Sequence, residues 1–552
     1  SDAQVYINGK KAGSHLGGFT AFELDVTDLV RVGAENRIAM AVTSETIADS
    51  TSNASRYAVH PLGGITRDIF LFALPETNLS MFHVSTSFDS TYTDAKLTAE
   101  VDITNDGKPV ADGYKLQFEL TDTEGKLVKL KDAVKKIETI AGGETKHLKF
   151  DFSVKAPHKW DPEHPNLYRL TCKLMKGNSL LESSARRVGF RQIEVRKNQV
   201  FVNNRLIKLR GVCHHEVMPL RGRSVNNDMW RKDVEIFREG NVNYIRTSHY
   251  PPEEALLEAC DELGMFVEVE APFCWAHEAK VPEAKRQEVL VDQHLAMVNL
   301  NRSHPSVLMW SMGNESAYGC NFEKALEWTK NFDPDRITQY ESARYRNYDE
   351  TYDYSNLDVY SRMYPALSEI QEYLDKDGSK PFLLVEYCHS MGNGPGDFED
   401  YFQMIQDNDK MCGGFVWEWC DHAIAHGTAE NGKTIYAYGG DHGEEIHDGN
   451  FCMDGLVYPD RTVHTGLLEY KNVYRPARVI SYNKESGELV LHNYMDFDDL
   501  KDYVKISYEL TQDGLVISKG KLPEVSAAPH SEGKINLKIN VPASGKCYLK
   551  FI

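Results

Sequence analysis

A (β/α)8 barrel set between β-sandwich modules is the fold this sequence predicts, and three observations predict it. Strand-sized apolar runs alternate with helix-length segments between Glu194 and Pro476. Short alternating runs cut by Gly, Asn and Asp turn signals fill the chain on either side. The length, 552 residues, calls for about three or four domains unless one is a barrel of roughly 250.

Taken in order, residues 1–75 carry AQVYING, FTAFELDV and NRIAMAV, three runs separated by turn residues, which read as part of a β-sandwich. Residues 76–193 carry KLTAEVDITNDGKP, YKLQFELTD and HLKFDFSV, spaced as in an immunoglobulin-like β-sandwich and closing near RRVGFRQIEV. Residues 194–476 carry the barrel. Its eight strands are expected at 206–212, 243–248, 265–270, 306–312, 337–342, 357–363, 381–387 and 413–419, with helices at Trp230 to Glu239, Pro252 to Leu263 and Glu323 to Asn331. Residues 477–552 carry ELVLHNYM, VKISYELTQDG and INLKINV, with a turn expected at Asp513-Gly514, and form a partial β-sandwich.

Composition excludes several function classes. With 41% hydrophobic and 26% charged residues the chain is neither disordered nor fibrous. A count of 82 acidic against 62 basic side chains argues against holding nucleic acid by phosphate neutralisation, so the expected partner is neutral or small. No run approaches the roughly 18 apolar residues of a membrane helix, and a soluble chain is expected, cytoplasmic or periplasmic. Both termini read as strands and Ser1 to Lys10 lacks a signal-peptide pattern, which predicts a piece of a longer protein. The ten cysteines contain no CxxC pair and read as free, buried thiols.

In a barrel the chemistry sits at the C-terminal ends of the strands. There the sequence places Cys213-His214-His215-Glu216, Arg246 to Pro251, Glu268 and Glu270, Gly313-Asn314-Glu315, Glu341-Ser342, Met363-Tyr364, Glu386 to His389, and Trp417-Glu418-Trp419. Paired carboxyls suit glycosidic cleavage, where one protonates the leaving oxygen and the other attacks or activates water. Tryptophan offers an apolar face to a sugar ring. A single strand-end glutamate is most often a solvated loop residue, but here such groups recur on many strands. Adjacent Cys388 and His389 diverge in extended chain and make a poor nucleophile–base dyad. His214, His215 and His249 lack a zinc-site spacing, and GNGPG at 392–396 lacks the Lys-Ser/Thr of a phosphate loop.

MWSMGNES (309–316), RTSHYPP (246–252), LLVEYCHSMGNGPG (383–396), GGFVWEWCDH (413–422), YGGD (438–441) and FCMDGLV (451–457) resemble, in this order, the long bacterial β-galactosidases of glycoside hydrolase family 2. The resemblance spans nearly the whole chain. It implies that residues 1–75 are the second half of a sugar-binding jelly roll, and that the enzyme is a retaining exo-β-galactosidase. It makes Glu315 the acid/base and Glu386 the nucleophile, their carboxyls about 5 to 5.5 Å apart. By the same resemblance Asn314 meets the sugar 2-hydroxyl, His215 and His249 stabilise the transition state, Tyr364 lies beside the nucleophile, His389 meets the 6-hydroxyl and Trp417 is the stacking platform. Trp310, inside strand four, reads as core.

The departures bear on metals. Cys274 and Ala276 stand where the family's magnesium ligands lie, so no family-type magnesium site is expected, with Glu278 or His277 as substitutes. Sodium is the ion the resemblance allows, at the Phe451 carbonyl and Asp454, where the family has Asn. The family's further Asp falls in the poorly matching stretch Thr46 to Gly64. No cofactor is expected as a requirement. A β-glucuronidase or β-mannosidase would share Glu315 and Glu386, but no Asn-x-Lys follows strands seven and eight. A non-catalytic carbohydrate-binding fragment is the alternative from another class. The expected partner is a small β-galactoside, with no nucleic acid and no membrane span, and a homo-oligomer is compatible with the chain.

Overall fold

The computed structural model describes residues 2–44, 46–52, 64–276, 284–345 and 352–552. The chain opens with a three-stranded antiparallel sheet in which Asp2–Ile7 lies between Lys10–Leu16 and Ile38–Thr43. Ile7 pairs with Lys10, so Asn8 and Gly9 form a two-residue turn, and both take the positive φ that such hairpins need (53° and 83°). FTAFELDV alternates like a strand but joins no ladder. Leu24 lies directly over Gly13, so the segment covers the sheet instead of extending it.

A β-sandwich follows. One sheet runs Thr77–Phe88, Ala95–Asn105, Thr145–Val154; the other is built on Ser179–Val188, Tyr168–Lys176 and Tyr114–Thr121, with Leu127–Val128 and Val134–Lys136 paired to the last. Strict alternation in Tyr114–Thr121 buries Leu116, Phe118 and Leu120 against Leu97, Val101 and Ile103 of the facing sheet.

The barrel strands are β1 (Leu209–His214), β2 (Tyr244–Thr247), β3 (Phe266–Glu270), β4 (Val307–Ser311), β5 (Ile337–Gln339), β6 (Tyr360–Met363), β7 (Phe382–Tyr387) and β8 (Met411–Val416). They form one parallel sheet in the order β5-β4-β3-β2-β1-β8-β7-β6. Each overlaps a segment the sequence predicts; β1 runs two residues past its predicted end and β8 begins two residues earlier. Between β5 and β6 the barrel is closed by the Asp358 N–H donating to the Thr338 carbonyl (3.0 Å) and by Ser361 Oγ donating to Gln339 Oε1 (2.9 Å). Every described residue of β1–β4 is buried, as expected for strands with helices outside and a packed interior. The outer helices include Asn227–Glu239, Glu254–Leu263, Cys320–Phe332, Leu367–Lys376 and Phe398–Asp407.

Beyond the barrel, Glu488–Asn493 pairs with Ala477–Tyr482 and Ser531–Asn536, and Ser507–Gln512 with Leu515–Lys521 and Cys547–Phe551. Their core is small, built on Leu489, Leu491, Leu500 and Val525. All ten cysteines are free, and seven of them are buried. Among the described residues no helix is long and apolar enough to cross a membrane.

Candidate active site

The polar residues of the barrel mouth are organised by Arg246, on β2. Its parallel register sets Arg246 opposite Glu268 on β3, and the two-residue strand period puts Glu270 on the same side. The guanidinium is fully buried. It donates Nη1–H to Glu386 Oε1 (2.7 Å), Nε–H to Glu270 Oε2 (2.7 Å), and Nη2–H to Glu270 Oε1 (3.0 Å) and Asn314 Oδ1 (2.9 Å).

The carboxyls around it differ in charge preference. Burial pushes Glu386 up, a nearby Glu315 charge adds to this, and Arg246 and His249 oppose it. Burial also works against ionised Glu270, yet Arg246 and His249 hold that carboxyl below its ordinary range. Glu268, deeper in the barrel, is pushed up to about 8 by burial, although Gln339 and Tyr244 donate to it. Arg246 therefore faces one firmly ionised carboxylate, Glu270, and a nucleophile candidate whose charge it stabilises against burial.

Glu315 follows β4 through Gly313 and Asn314. Gly313 has φ +145° and a Cβ there would lie 2.9 Å from the Phe273 carbonyl, so only glycine lets the β4 loop run this close to the loop after β3. The Asn314 N–H donates to Phe273 O (2.7 Å), and its side-chain amide donates to Cys274 Sγ (3.3 Å) while Arg246 occupies its carbonyl. The Glu315 N–H donates to the buried Glu341 Oε1 (2.7 Å), and its Oε2 accepts the Trp275 indole N–H (3.0 Å).

Of the remaining predicted residues, His249 donates Nδ1–H to Glu270 Oε1 (2.8 Å) and stacks on Trp417, centroids 5.2 Å apart at 10°. Trp417 is 4% exposed and donates its indole N–H to Asp454 Oδ2 (2.9 Å). His215 sits edge-on to His249, Trp417 and His422. The Tyr250 hydroxyl accepts from the Glu216 N–H and from Arg223 Nη1, so its own hydrogen goes to His215 Nδ1 (3.2 Å), which leaves the hydrogen of His215 on Nε2. Burial drives His215 well below its ordinary value, so it is neutral.

Tyr364 is 44% exposed, but its phenol is pushed up by burial and by the Glu386 carboxylate to which it is hydrogen-bonded. Its backbone N–H also donates to the Glu386 carbonyl (2.8 Å). His389 lies 3.5 Å from Asp454 Oδ2 and 6.1 Å, ring to ring, from Tyr364. His214 is apart from this group, paired with Asp233 at 3.2 Å under Trp230 and Phe237. Trp310 lies in the barrel wall and donates to Asp333 (3.0 Å).

At the magnesium position Cys274 is fully buried with its thiol pushed well above its ordinary value, so it offers no thiolate, and Ala276 has no ligand atom. His277 and Glu278 lie outside the described residues. At the sodium position the Asp454 carboxyl is fully buried and is spent on the Trp417 indole and on Glu418; burial and Glu418 push it well above the ordinary range, and a hydrogen bond between two carboxyls requires a proton between them. Phe451 is half-exposed, and residues 53–63 lie outside the described residues. Among the described residues no three His, Cys, Asp or Glu side chains are grouped to hold a metal ion. Neither ion fits these residues as the family would hold it.

The sequence places Arg246, Tyr250, Glu270 and Glu341 at strand ends without a role for each, and does not single out Trp275. A signal existed for Arg246: a charged residue inside an otherwise apolar, fully buried strand must be paired. Trp275 had none, because its position depends on two loops meeting.

Glu315 and Glu386 thus both stand at the barrel mouth, Glu386 gripped by the buried Arg246. The chain belongs to glycosyl hydrolase family 2: the model of that family's TIM barrel domain matches residues 193–479, a second family 2 domain model matches 77–191, and the model of β-galactosidase domain 4 matches 489–551. It is 33% identical to the β-galactosidase of Actinobacillus pleuropneumoniae, covering 98% of this chain and 53% of that protein, and 31% identical to that of Staphylococcus xylosus, covering 99% and 54%. The chain thus spans about half the length of these relatives. The fold also matches a β-glucuronidase of Bacteroides uniformis at 22% identity (TM-score 0.67; 100% of this chain, 70% of that one) and a putative β-galactosidase of Bacteroides fragilis at 19% (0.70; 100% and 85%).

Proposed function

We propose that this chain carries the catalytic site of a retaining, exo-acting β-galactosidase that releases terminal β-D-galactosyl residues. The observation that carries the reading is that Glu386, clamped by Arg246 and bonded to Tyr364, interacts electrostatically with Glu315, which is held separately by Glu341 and Trp275. The β-galactosidases at 31–33% identity support galactose as the sugar.

In the first half-reaction the Glu386 carboxylate attacks the anomeric carbon, a C–O ester bond forms, the glycosidic C–O bond breaks, and Glu315 gives its proton to the departing oxygen. In the second, ionised Glu315 takes a proton from water, the water oxygen attacks the anomeric carbon, and the ester to Glu386 breaks, restoring both groups. Positioned proton transfer contributes roughly 10²- to 10⁴-fold. Arg246 keeps Glu386 available as an anion, and holds the Asn314 carbonyl while the Asn314 amide donates to Cys274. No step runs through a metal.

A uronic acid substrate would need a cation for its carboxylate. Arg246 is fully buried and taken up by Glu270, Glu386 and Asn314, which argues against a glucuronidase site built on it. Chromogenic β-galactoside, β-glucuronide and β-mannoside should be offered in parallel. Preference for the galactoside is the expected result; preference for either of the others overturns the sugar assignment, and turnover of none favours a carbohydrate-binding fragment.

A further inference from the structure

We infer that Trp275 is a positioning residue for Glu315: its indole takes one carboxyl oxygen, so that the other is the oxygen that carries the transferred proton. The inference rests on the acid/base role proposed for Glu315.

The contact is the Trp275 Nε1–H donating to Glu315 Oε2 at 3.0 Å. It is built by two loops running side by side. The Trp275 backbone N–H donates to the Asn314 carbonyl (3.2 Å), the Asn314 N–H donates to the Phe273 carbonyl (2.7 Å), Cys274 and Asn314 form a parallel bridge, and the Ala276 N–H donates to Ser316 Oγ (2.8 Å). Trp275 and Glu315 both take positive φ, 54° and 40°, a region that large side chains rarely occupy and that persists where surrounding contacts over-determine it. The indole body is partly buried against the barrel-interior cluster containing Met363, Trp417 and Cys452. The ring is therefore held in place independently of Glu315.

An indole can only donate. It cannot receive a proton from Oε2, so Oε2 acts as acceptor both when Glu315 is an acid and when it is a base. The transferable proton then resides on Oε1 in the first half-reaction and is collected there from water in the second. A hydroxyl or imidazole at the same place could reverse its hydrogen bond and let the proton settle on either oxygen. One fixed donor thus defines which oxygen faces the glycosidic bond through the whole cycle, a role in orientation of the kind that proximity effects demand.

The test uses Trp275→Phe in the full chain, with kcat/KM, which reports the glycosylation step, measured on two β-galactosides. An alkyl β-galactoside needs a proton on its leaving oxygen and should lose about 10- to 100-fold, the range for a hydrogen bond to a charged group. A dinitrophenyl β-galactoside leaves unassisted and should change by less than about 3-fold. Equal losses on both would mean a merely structural role and would overturn the inference. A second measurement does not depend on turnover: the ¹⁵N–¹H indole signal of Trp275, assigned by its disappearance in Trp275→Phe, should shift in Glu315→Gln. An unmoved signal overturns the contact. If the native chain hydrolyses no glycoside, the proposed function falls, and the indole signal still decides the contact.

Discussion

Arg246 and Glu386 meet through a single hydrogen bond of 2.7 Å, in which a fully buried guanidinium faces a carboxylate that burial would otherwise neutralise. The arginine is not a spectator charge: the same group also carries Glu270 and Asn314. Replacing it with Met would leave two buried carboxylates, Glu270 and Glu386, without the guanidinium that balances their charge. Arg246→Met is expected to cost about 3–5 kcal/mol of stability in urea unfolding and to abolish activity; a variant as stable as the native chain would show that the carboxyls find other partners.

The pH dependence follows from the same pair. Glu386 must be ionised to attack, and its pKa is raised above the ordinary 4.5. Activity therefore falls as pH drops through a value above the ordinary one. Glu315 is protonated when it serves as the acid, so neutral Glu315→Gln should leave this acid limb in place. The measurement is kcat/KM against pH with a dinitrophenyl β-galactoside, and a limb that moves in Glu315→Gln contradicts the assignment.

Metal removal should have little effect on the chemistry. With Cys274 and Ala276 at the magnesium position, treatment with a chelator is expected to leave activity unchanged, and added Mg²⁺ to raise it by less than about 2-fold. Activity lost on chelation and restored by Mg²⁺ would show that ligands are recruited from elsewhere.

The N-terminal sheet module reaches the site. Arg67 Nη2 donates to both oxygens of Glu216 (3.0 Å each) and to the Pro251 carbonyl (2.6 Å), and Phe19 stacks on Tyr250 at 4.3 Å and 13°. Tyr250 in turn fixes the His215 tautomer. Phe19→Ala should raise KM for a β-galactoside by about 3- to 10-fold, with a stability loss of about 1 kcal/mol, since one aromatic pair is worth about 0.5–1.5 kcal/mol. An unchanged KM would mean that Tyr250 holds His215 without the stack.

The barrel is legible in the sequence because its strands are short, apolar and regularly spaced, and the ends of those strands put Glu315, Glu386, His249 and Tyr364 on one rim among many other residues; the family resemblance is what singles these four out. The contacts that organise them could not. Arg246 finds Glu268 and Glu270 through strand register, and no single strand contains that information. Trp275 reaches Glu315 only because two loops with positive-φ residues lie side by side. FTAFELDV shows the opposite failure: its alternation is strand-like, but Leu24 packs on Gly13 and the backbone finds no edge to pair with. Periodicity identifies a buried face, not a partner.

The proposed mechanism requires a covalent galactosyl-enzyme on Glu386. Incubation with a 2-deoxy-2-fluoro-β-galactoside bearing a good leaving group, followed by peptide mass spectrometry, tests it directly. One sugar ester is expected, on the peptide containing Glu386, and none in Glu386→Gln, whose turnover should fall by on the order of 10⁵-fold while its fold is kept. A label on any other carboxylate, or near-normal hydrolysis by Glu386→Gln, would contradict it.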